Sequence, residues 1–216
     1  MRKRERLDMF PAHEYATAGE SDPLRFYTYP IIGGLFCRRV ELCLTELTGG
    51  PRVLEVGFGS GLTFRNLLRK YERVYGIDKG VDLDMVTEFF RGKGMDVDLR
   101  KGTVINLPFP DMFFDSILLI SILEHLRGEE LRRAFRELVR VLKPSGQLVY
   151  GVPVERRVMR WAFRILGYDI RKHHFSTEIE VRRAASSVLA EVRLTMMAGP
   201  LGMPRNIYQV GHFKRV

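Results

Sequence analysis

The sequence has little cysteine, no long apolar run and no long tract of one charge. Only two of its 216 residues are cysteines. Cys37 and Cys43 lie on one stretch with helical spacing, and two thiols placed so form neither a disulfide framework nor a metal-spaced cluster. A reducing interior suits them. The longest apolar run, around Ile117 to Leu123, is far short of the roughly 20 residues needed to span a bilayer. The start, MRKRERLDMF, is charged and no apolar segment follows it, which is unlike a secretory signal. No internal repeat and no low-complexity linker is present. These absences predict a soluble, cytoplasmic protein.

What is present is enough apolar material for a core. Hydrophobic residues make up 45% of the chain, which argues against disorder, and the length suits one domain. The formal net charge is +9. That balance suits nucleic acid, an anionic membrane surface or an anionic substrate, but the charges are scattered and read mainly as solvated surface.

The chain divides by pattern. Residues 1–50 read as an irregular, proline-containing arm followed by a helix at Leu35–Leu47, stopped by Gly49-Gly50-Pro51. Residues 51–153 alternate apolar strands with helices. Strands are expected at Arg52–Val56, Arg73–Ile77, Val97–Lys101, Ser116–Ile120 and Gln147–Val152. Helices are expected at Leu62–Lys70, Asp82–Arg91 and Glu129–Leu142, the last ending at Pro144-Ser145-Gly146. Such alternation, with strands apolar throughout, predicts a doubly wound α/β fold: a mostly parallel sheet with helices on both faces. Residues 154–190 read as a helical lid, and residues 191–216 as the last strands.

The stretch VLEVGFGSGL, Val53 to Leu62, turns from strand to helix through three glycines. Glycine permits positive φ and a close approach of ligand to backbone. The hydride-carrier fingerprint G-x-G-x-x-G fails here because Leu62 stands where its third glycine belongs. No Lys-Ser/Thr pair follows, so this is not a phosphate-binding P-loop. The spacing is E-x-G-x-G-x-G. Asp78 ends the next predicted strand, where an acidic side chain can accept both hydroxyls of a ribose.

With the blocks VYGIDKG, LPFPDMFFDSILLISILEHL and RELVRVLKPSGQLVYGVP, the turn resembles the class I S-adenosylmethionine-dependent methyltransferases, in the small-molecule, methyltransferase type 11-like branch. The resemblance covers roughly Val53 to Val152. The HHFST stretch before a later helix is also similar to this branch. It implies a Rossmann-like, seven-stranded sheet with the last strand antiparallel, and S-adenosylmethionine as cofactor. It further implies that Glu55 meets the methionine end, and that Gly57, Phe58, Gly59 and Gly61 form the loop beside the cofactor. Asp78 would hold the ribose and Lys79 would lie beside the adenine. Gly102, Thr103 and Val104 align with a segment that usually reads Gly-Asp-Ala, so Thr103 replaces the acid that meets the adenine amino group. Ile120 and Ser121 would border the methyl group.

The acceptor is less legible. Methyl transfer from a sulfonium needs a base only where the acceptor must lose a proton. Candidates are Glu124, His125, His173, His174 and Tyr15, with His125 favoured for its place after the fourth strand. Tyr15, Glu155, Trp161, His173 and His174 are expected to line the substrate side or its lid; no third ligand beside His173-His174 suggests a metal. Residues 155–167 carry Arg157, Arg160 and Arg164 at helical spacing beside Trp161. They read as a lid over the site or as a basic amphipathic helix on an anionic membrane. A small-molecule or lipid-like acceptor fits best. Nucleic acid is the rival, weakened by Ile120-Ser121-Ile122-Leu123 where amino-group nucleic-acid methylases carry an Asn/Asp-Pro-Pro-aromatic block. A noncatalytic methyltransferase-like module is the third reading.

Overall fold

A computed structural model describes residues 4–15, 23–30, 32–154, 175–199 and 206–216. The expected lid helix at 155–167, with Glu155 and Trp161, and the pair His173-His174 lie outside the described residues.

The strands are β1 (Gly50–Val56), β2 (Tyr71–Asp78), β3 (Val97–Lys101), β4 (Phe114–Ile120), β5 (Leu142–Pro153), β6 (Ala190–Met197) and β7 (Tyr208–Lys214). They form one seven-stranded sheet in the order β3-β2-β1-β4-β5-β7-β6. Strands β1 to β5 pair in parallel, and β7 runs antiparallel between β5 and β6. The mostly parallel sheet with an antiparallel last strand is therefore as expected. The chain winds outward from β1 to β3, then returns to place β4 on the other side of β1. In open α/β sheets, ligands bind outside the carboxyl ends of the strands at such a reversal.

Successive residues of the inner strands serve opposite faces, which is why these strands are apolar throughout. Leu54, Val56, Ile117, Leu119, Leu148 and Tyr150 join one core. Helices α4 (Gly128–Val141) and α5 (Glu178–Ser186) close it. Val53, Leu118 and Val149 point into the other core, under α1 (Ile32–Glu46), α2 (Phe64–Leu68) and α3 (Leu83–Gly92). Helix α4 buries Leu131, Ala134, Phe135, Leu138 and Val141, a stripe at helical spacing.

Several boundaries move by one to three residues, and two departures from the sequence expectation have a clear local cause. The helix after the glycine turn occupies only Phe64–Leu68, not Leu62–Lys70. Gly57, Gly59 and Gly61 all take positive φ, so the loop runs on before a helix can start. Further on, α4 ends at Val141 and β5 starts at Leu142, so Pro144-Ser145-Gly146 is a bulge within a strand, not a turn before one. Leu142 pairs with Phe114 and Gln147 with Ser116, and Ser145 takes φ 62° to absorb the extra residues. Arg215 completes the junction by donating from Nη1 to the carbonyls of Val139, at 2.8 Å, and of Leu142. A cation at the end of a helix satisfies carbonyls that the helix leaves open.

The arm is ordered by α1 and α2. The Asp8 N–H donates to Asn66 Oδ1 at 2.9 Å, and Asn66 Nδ2 donates to the Arg6 carbonyl at 2.7 Å, which satisfies a buried amide on both sides. Among the described residues, no helix is long and apolar enough to cross a membrane.

Candidate functional site

The carboxyl ends of β1 and β2 carry two carboxylates and the glycine turn. Glu55 lies next to last in β1 and is buried. Thr63 Oγ1 donates to its Oε2. Among the described residues no cation forms an ion pair with it. Burial pushes the Glu55 carboxyl up to about 8; the Thr63 hydrogen bond opposes this and the nearby Asp78 adds to it. A buried carboxyl without a counter-ion suits a ligand that brings a positive charge.

The turn is held open by what its glycines lack. Gly57 has φ +72°, and a Cβ there would lie 2.0 Å from Ile122 Cδ1. Gly61 has φ +73°, and a Cβ there would meet the rings of Phe90 at 2.6 Å and Phe64 at 2.7 Å. Phe58 anchors the turn from below: it is buried and its ring lies 5.6 Å from that of Phe64.

Asp78 ties the turn to β2. Its Oδ2 accepts from the Gly59 N–H at 3.1 Å and its Oδ1 from the Gly80 N–H at 2.9 Å. A carboxylate offers about four lone-pair sites, so both oxygens can accept further hydrogen bonds. The Asp78 carbonyl accepts from the Gly102 N–H at 2.9 Å, bringing the next loop alongside. In that loop Thr103 Oγ1 accepts from the Ile105 N–H at 3.2 Å, so the hydroxyl closes its own turn. Val104 is buried beneath it, and Lys79 and Thr103 are exposed.

Across the reversal, Ile120 ends β4 and Ser121 follows with φ 57°. The Ser121 N–H donates to the Gly151 carbonyl at 2.8 Å, and its Oγ lies 3.0 Å from the Tyr208 hydroxyl. Arg39, from α1, donates to Ser121 Oγ at 3.2 Å and to the Tyr27 hydroxyl at 3.4 Å. His125 is exposed on the short turn Leu123–His125 that follows, beside buried Glu124. The Glu124 carbonyl accepts from Phe175 at 2.7 Å and Ser176 at 3.1 Å, which docks the segment before α5 against this turn.

The structure thus brings together Glu55, Gly57, Phe58, Gly59, Gly61, Asp78, Gly102, Ile120 and Ser121. Tyr15 meets the turn through Phe90, the ring that a Cβ on Gly61 would strike. It is buried among Phe10, Phe89 and Phe90, with ring centroids 5.2 to 6.4 Å away, and its hydroxyl accepts from the Phe10 N–H at 3.1 Å. Burial pushes that hydroxyl up to about 12, which keeps it protonated. Sequence reasoning passed over Thr63, Gly80, Ile122, Arg39, Tyr27 and Tyr208. Thr63 stands just past the glycines and was within reach of a reading that asked what satisfies Glu55. The others come together only through the fold.

Residues 54–150 match the family model described as a methyltransferase domain. This match spans less than half of the chain; with the sheet order and the glycine turn it supports a class I methyltransferase. The family uses S-adenosylmethionine. The chain is 32% identical over 178 residues to a probable tRNA methyltransferase 9B of Bos taurus, covering 82% of this chain and 34% of that protein. It is 32% identical over 112 residues to a demethylmenaquinone methyltransferase of Tropheryma whipplei, covering 52% of this chain and 46% of that protein. The chain spans less than half the length of these curated relatives. Among solved structures, the N-methyltransferase NodS from Bradyrhizobium japonicum, in complex with S-adenosylhomocysteine, superposes with a TM-score of 0.68. That likeness covers 91% of this chain and 93% of that one at 20% identity, and defines a shared fold.

Proposed function

We propose that the chain is an S-adenosylmethionine-dependent methyltransferase acting on a small-molecule or lipid-like acceptor. The observation that carries this is the buried Glu55, with no ion-pair partner among the described residues, beside a glycine turn that Asp78 pins open, all at the sheet's reversal. When bound, the cofactor supplies an activated methyl group on a sulfonium. The protein's task is then to position donor and acceptor in line.

Glu55 accepts from the cofactor's ammonium, which ionises the carboxyl and removes the cost of its burial. Asp78 accepts the ribose hydroxyls on its remaining lone pairs. Gly57, Phe58, Gly59 and Gly61 form the wall along the cofactor, Lys79 flanks the adenine, and Gly102, Thr103 and Val104 bound its other edge. Ile120 and Ser121 border the methyl group. Where the acceptor must lose a proton, His125 on the exposed turn after β4 is the base we assign.

The demethylmenaquinone methyltransferase relative supports a small-molecule acceptor. The second reading, an RNA acceptor, is favoured by the tRNA methyltransferase 9B likeness, which covers more of the chain, and by the net charge of +9. Incubation with tritium-methyl S-adenosylmethionine, bulk tRNA and a solvent extract of membrane lipids separates them. We expect label in the organic phase; label in acid-precipitated RNA would favour the second reading.

A further inference from the structure

We infer that Arg39, Tyr27 and Ser121 form a subsite for an oxyanion, a carboxylate or phosphate carried by the methyl acceptor. The inference rests on the methyltransferase reading and deepens it by naming the acceptor's charge.

Arg39 is a cation whose direct contacts are hydroxyls and aromatic rings, with the buried Glu124 farther off. Its Nη1 and Nη2 donate to the hydroxyls of Ser121 and Tyr27. Its guanidinium lies 4.1 Å from the Phe36 ring centroid and 6.0 Å from those of Tyr27 and Tyr208. Its Nε is buried and makes no hydrogen bond among the described residues. No carboxylate there forms an ion pair with it. A desolvated charge ordinarily has an opposite charge beside it. Arg140 illustrates the ordinary case: Glu137 and Asp111 hold its guanidinium at 2.8 and 2.7 Å. Burial disfavours the charge on Arg39, but Tyr27, Tyr208 and Glu124 around it outweigh that, so the guanidinium remains a cation.

The cluster also has the right address. Ser121 follows the last residue of β4 in a left-handed conformation that a serine seldom adopts, and such strain is concentrated at functional positions. Its neighbour Ile122 packs against Gly57 of the glycine turn. Arg39 therefore stands beside the donor's loop, on the β4–β5–β7 side where the acceptor belongs. Arg39, Tyr27 and Ser121 are half-buried, so a ligand can reach them, while Tyr208 forms the buried floor. A guanidinium fork flanked by hydroxyls matches the planar, multidentate geometry of carboxylate and phosphate.

The test uses the whole chain and calorimetry. S-adenosylhomocysteine is titrated first, then inorganic pyrophosphate or acetate is added to the saturated protein. One of the two anions should bind, and the one preferred tells whether the acceptor group is a phosphate or a carboxylate. Arg39→Gln should weaken that anion by at least about tenfold, the scale of a charge-assisted pair, with the S-adenosylhomocysteine affinity changed by less than about twofold. Tyr27→Phe keeps the charge and should weaken the anion by about threefold with an unchanged melting temperature. The inference is overturned if neither anion binds the saturated wild type, or if Tyr27→Phe leaves anion affinity unchanged. It is also overturned if Arg39→Gln weakens S-adenosylhomocysteine about as much as the anion, because the guanidinium then serves the donor's own carboxylate. Failure of the wild type to bind S-adenosylhomocysteine would bring down the methyltransferase reading itself, and this inference with it.

Discussion

The two sides of the sheet's reversal are built by different means. On the β1–β2 side, the site is made largely of backbone: positive-φ glycines, amides donating to Asp78 and one buried carboxyl, mostly within Glu55 to Thr63 and Asp78 to Gly80. On the β4–β5–β7 side it is made of side chains drawn from distant elements: Tyr27 and Arg39 from before β1, Ser121 from after β4, and Tyr208 from β7. The first kind of site fits a ligand that does not change, because a backbone path tolerates few substitutions. The second kind can be rebuilt one side chain at a time, which suits the partner that sets specificity.

If the backbone side is as constrained as this comparison implies, its glycines should carry the largest effects. Gly61→Ala adds a Cβ between two buried rings at a positive φ. We expect a loss of about 2–5 kcal/mol of stability in urea denaturation, the sum of a left-handed penalty and overpacking; a loss below about 1 kcal/mol would remove the distinction. Asp78→Ala should come next, with S-adenosylhomocysteine affinity reduced by about 1–3 kcal/mol for a lost charged hydrogen-bond acceptor. Unchanged affinity would mean that the ribose is held elsewhere.

Glu55→Gln should weaken the cofactor by about 1–2 kcal/mol, since the amide keeps one acceptor but loses the charge. It should also alter the pH dependence of the ligand-free protein. The unfolded chain ionises this group near its ordinary value of 4.5, and the folded chain keeps the proton until about 8. The folded state thus binds the extra proton between those values. Its contribution is fully present below about 4.5 and is lost as pH rises through about 8. Thermal melts from pH 5 to 8.5 should show a smaller decline in Glu55→Gln than in the wild type. The smallest effect is expected at Thr103→Asp. The Asp side chain can keep the turn closed and adds an acceptor for the adenine amino group. The cofactor should bind a few-fold more tightly, by about 0.5–1 kcal/mol, and weaker binding would show that the hydroxyl matters more for the loop than for the ligand.

The same contrast explains what the sequence disclosed. The fold was legible because both cores draw on alternate residues of the same strands, leaving Val53–Val56 and Ile117–Leu119 almost wholly apolar. Glu55, the glycines and Asp78 were legible because a backbone turn is written in consecutive residues. The bulge at Pro144-Ser145-Gly146 was not, because Pro and Gly signal a turn wherever they occur, and only the pairing of Leu142 with Phe114 places this one inside a strand. Tyr15 reads as a substrate-side residue, and the fold adds what no local pattern shows, that its ring packs on Phe10, Phe89 and Phe90. Arg39 stayed hidden among the scattered basic residues, for nothing local to it records that Tyr27 and Ser121 will stand at its tip.

The central claim, that Glu55 waits protonated for a cationic methyl donor, is tested most directly by titrating S-adenosylhomocysteine calorimetrically at pH 6.5 in two buffers of different ionisation heat. If Glu55 ionises on meeting the ligand's ammonium, binding should release close to one proton, because the free carboxyl titrates near 8. Absence of binding at millimolar ligand, or binding with no proton released, would contradict it.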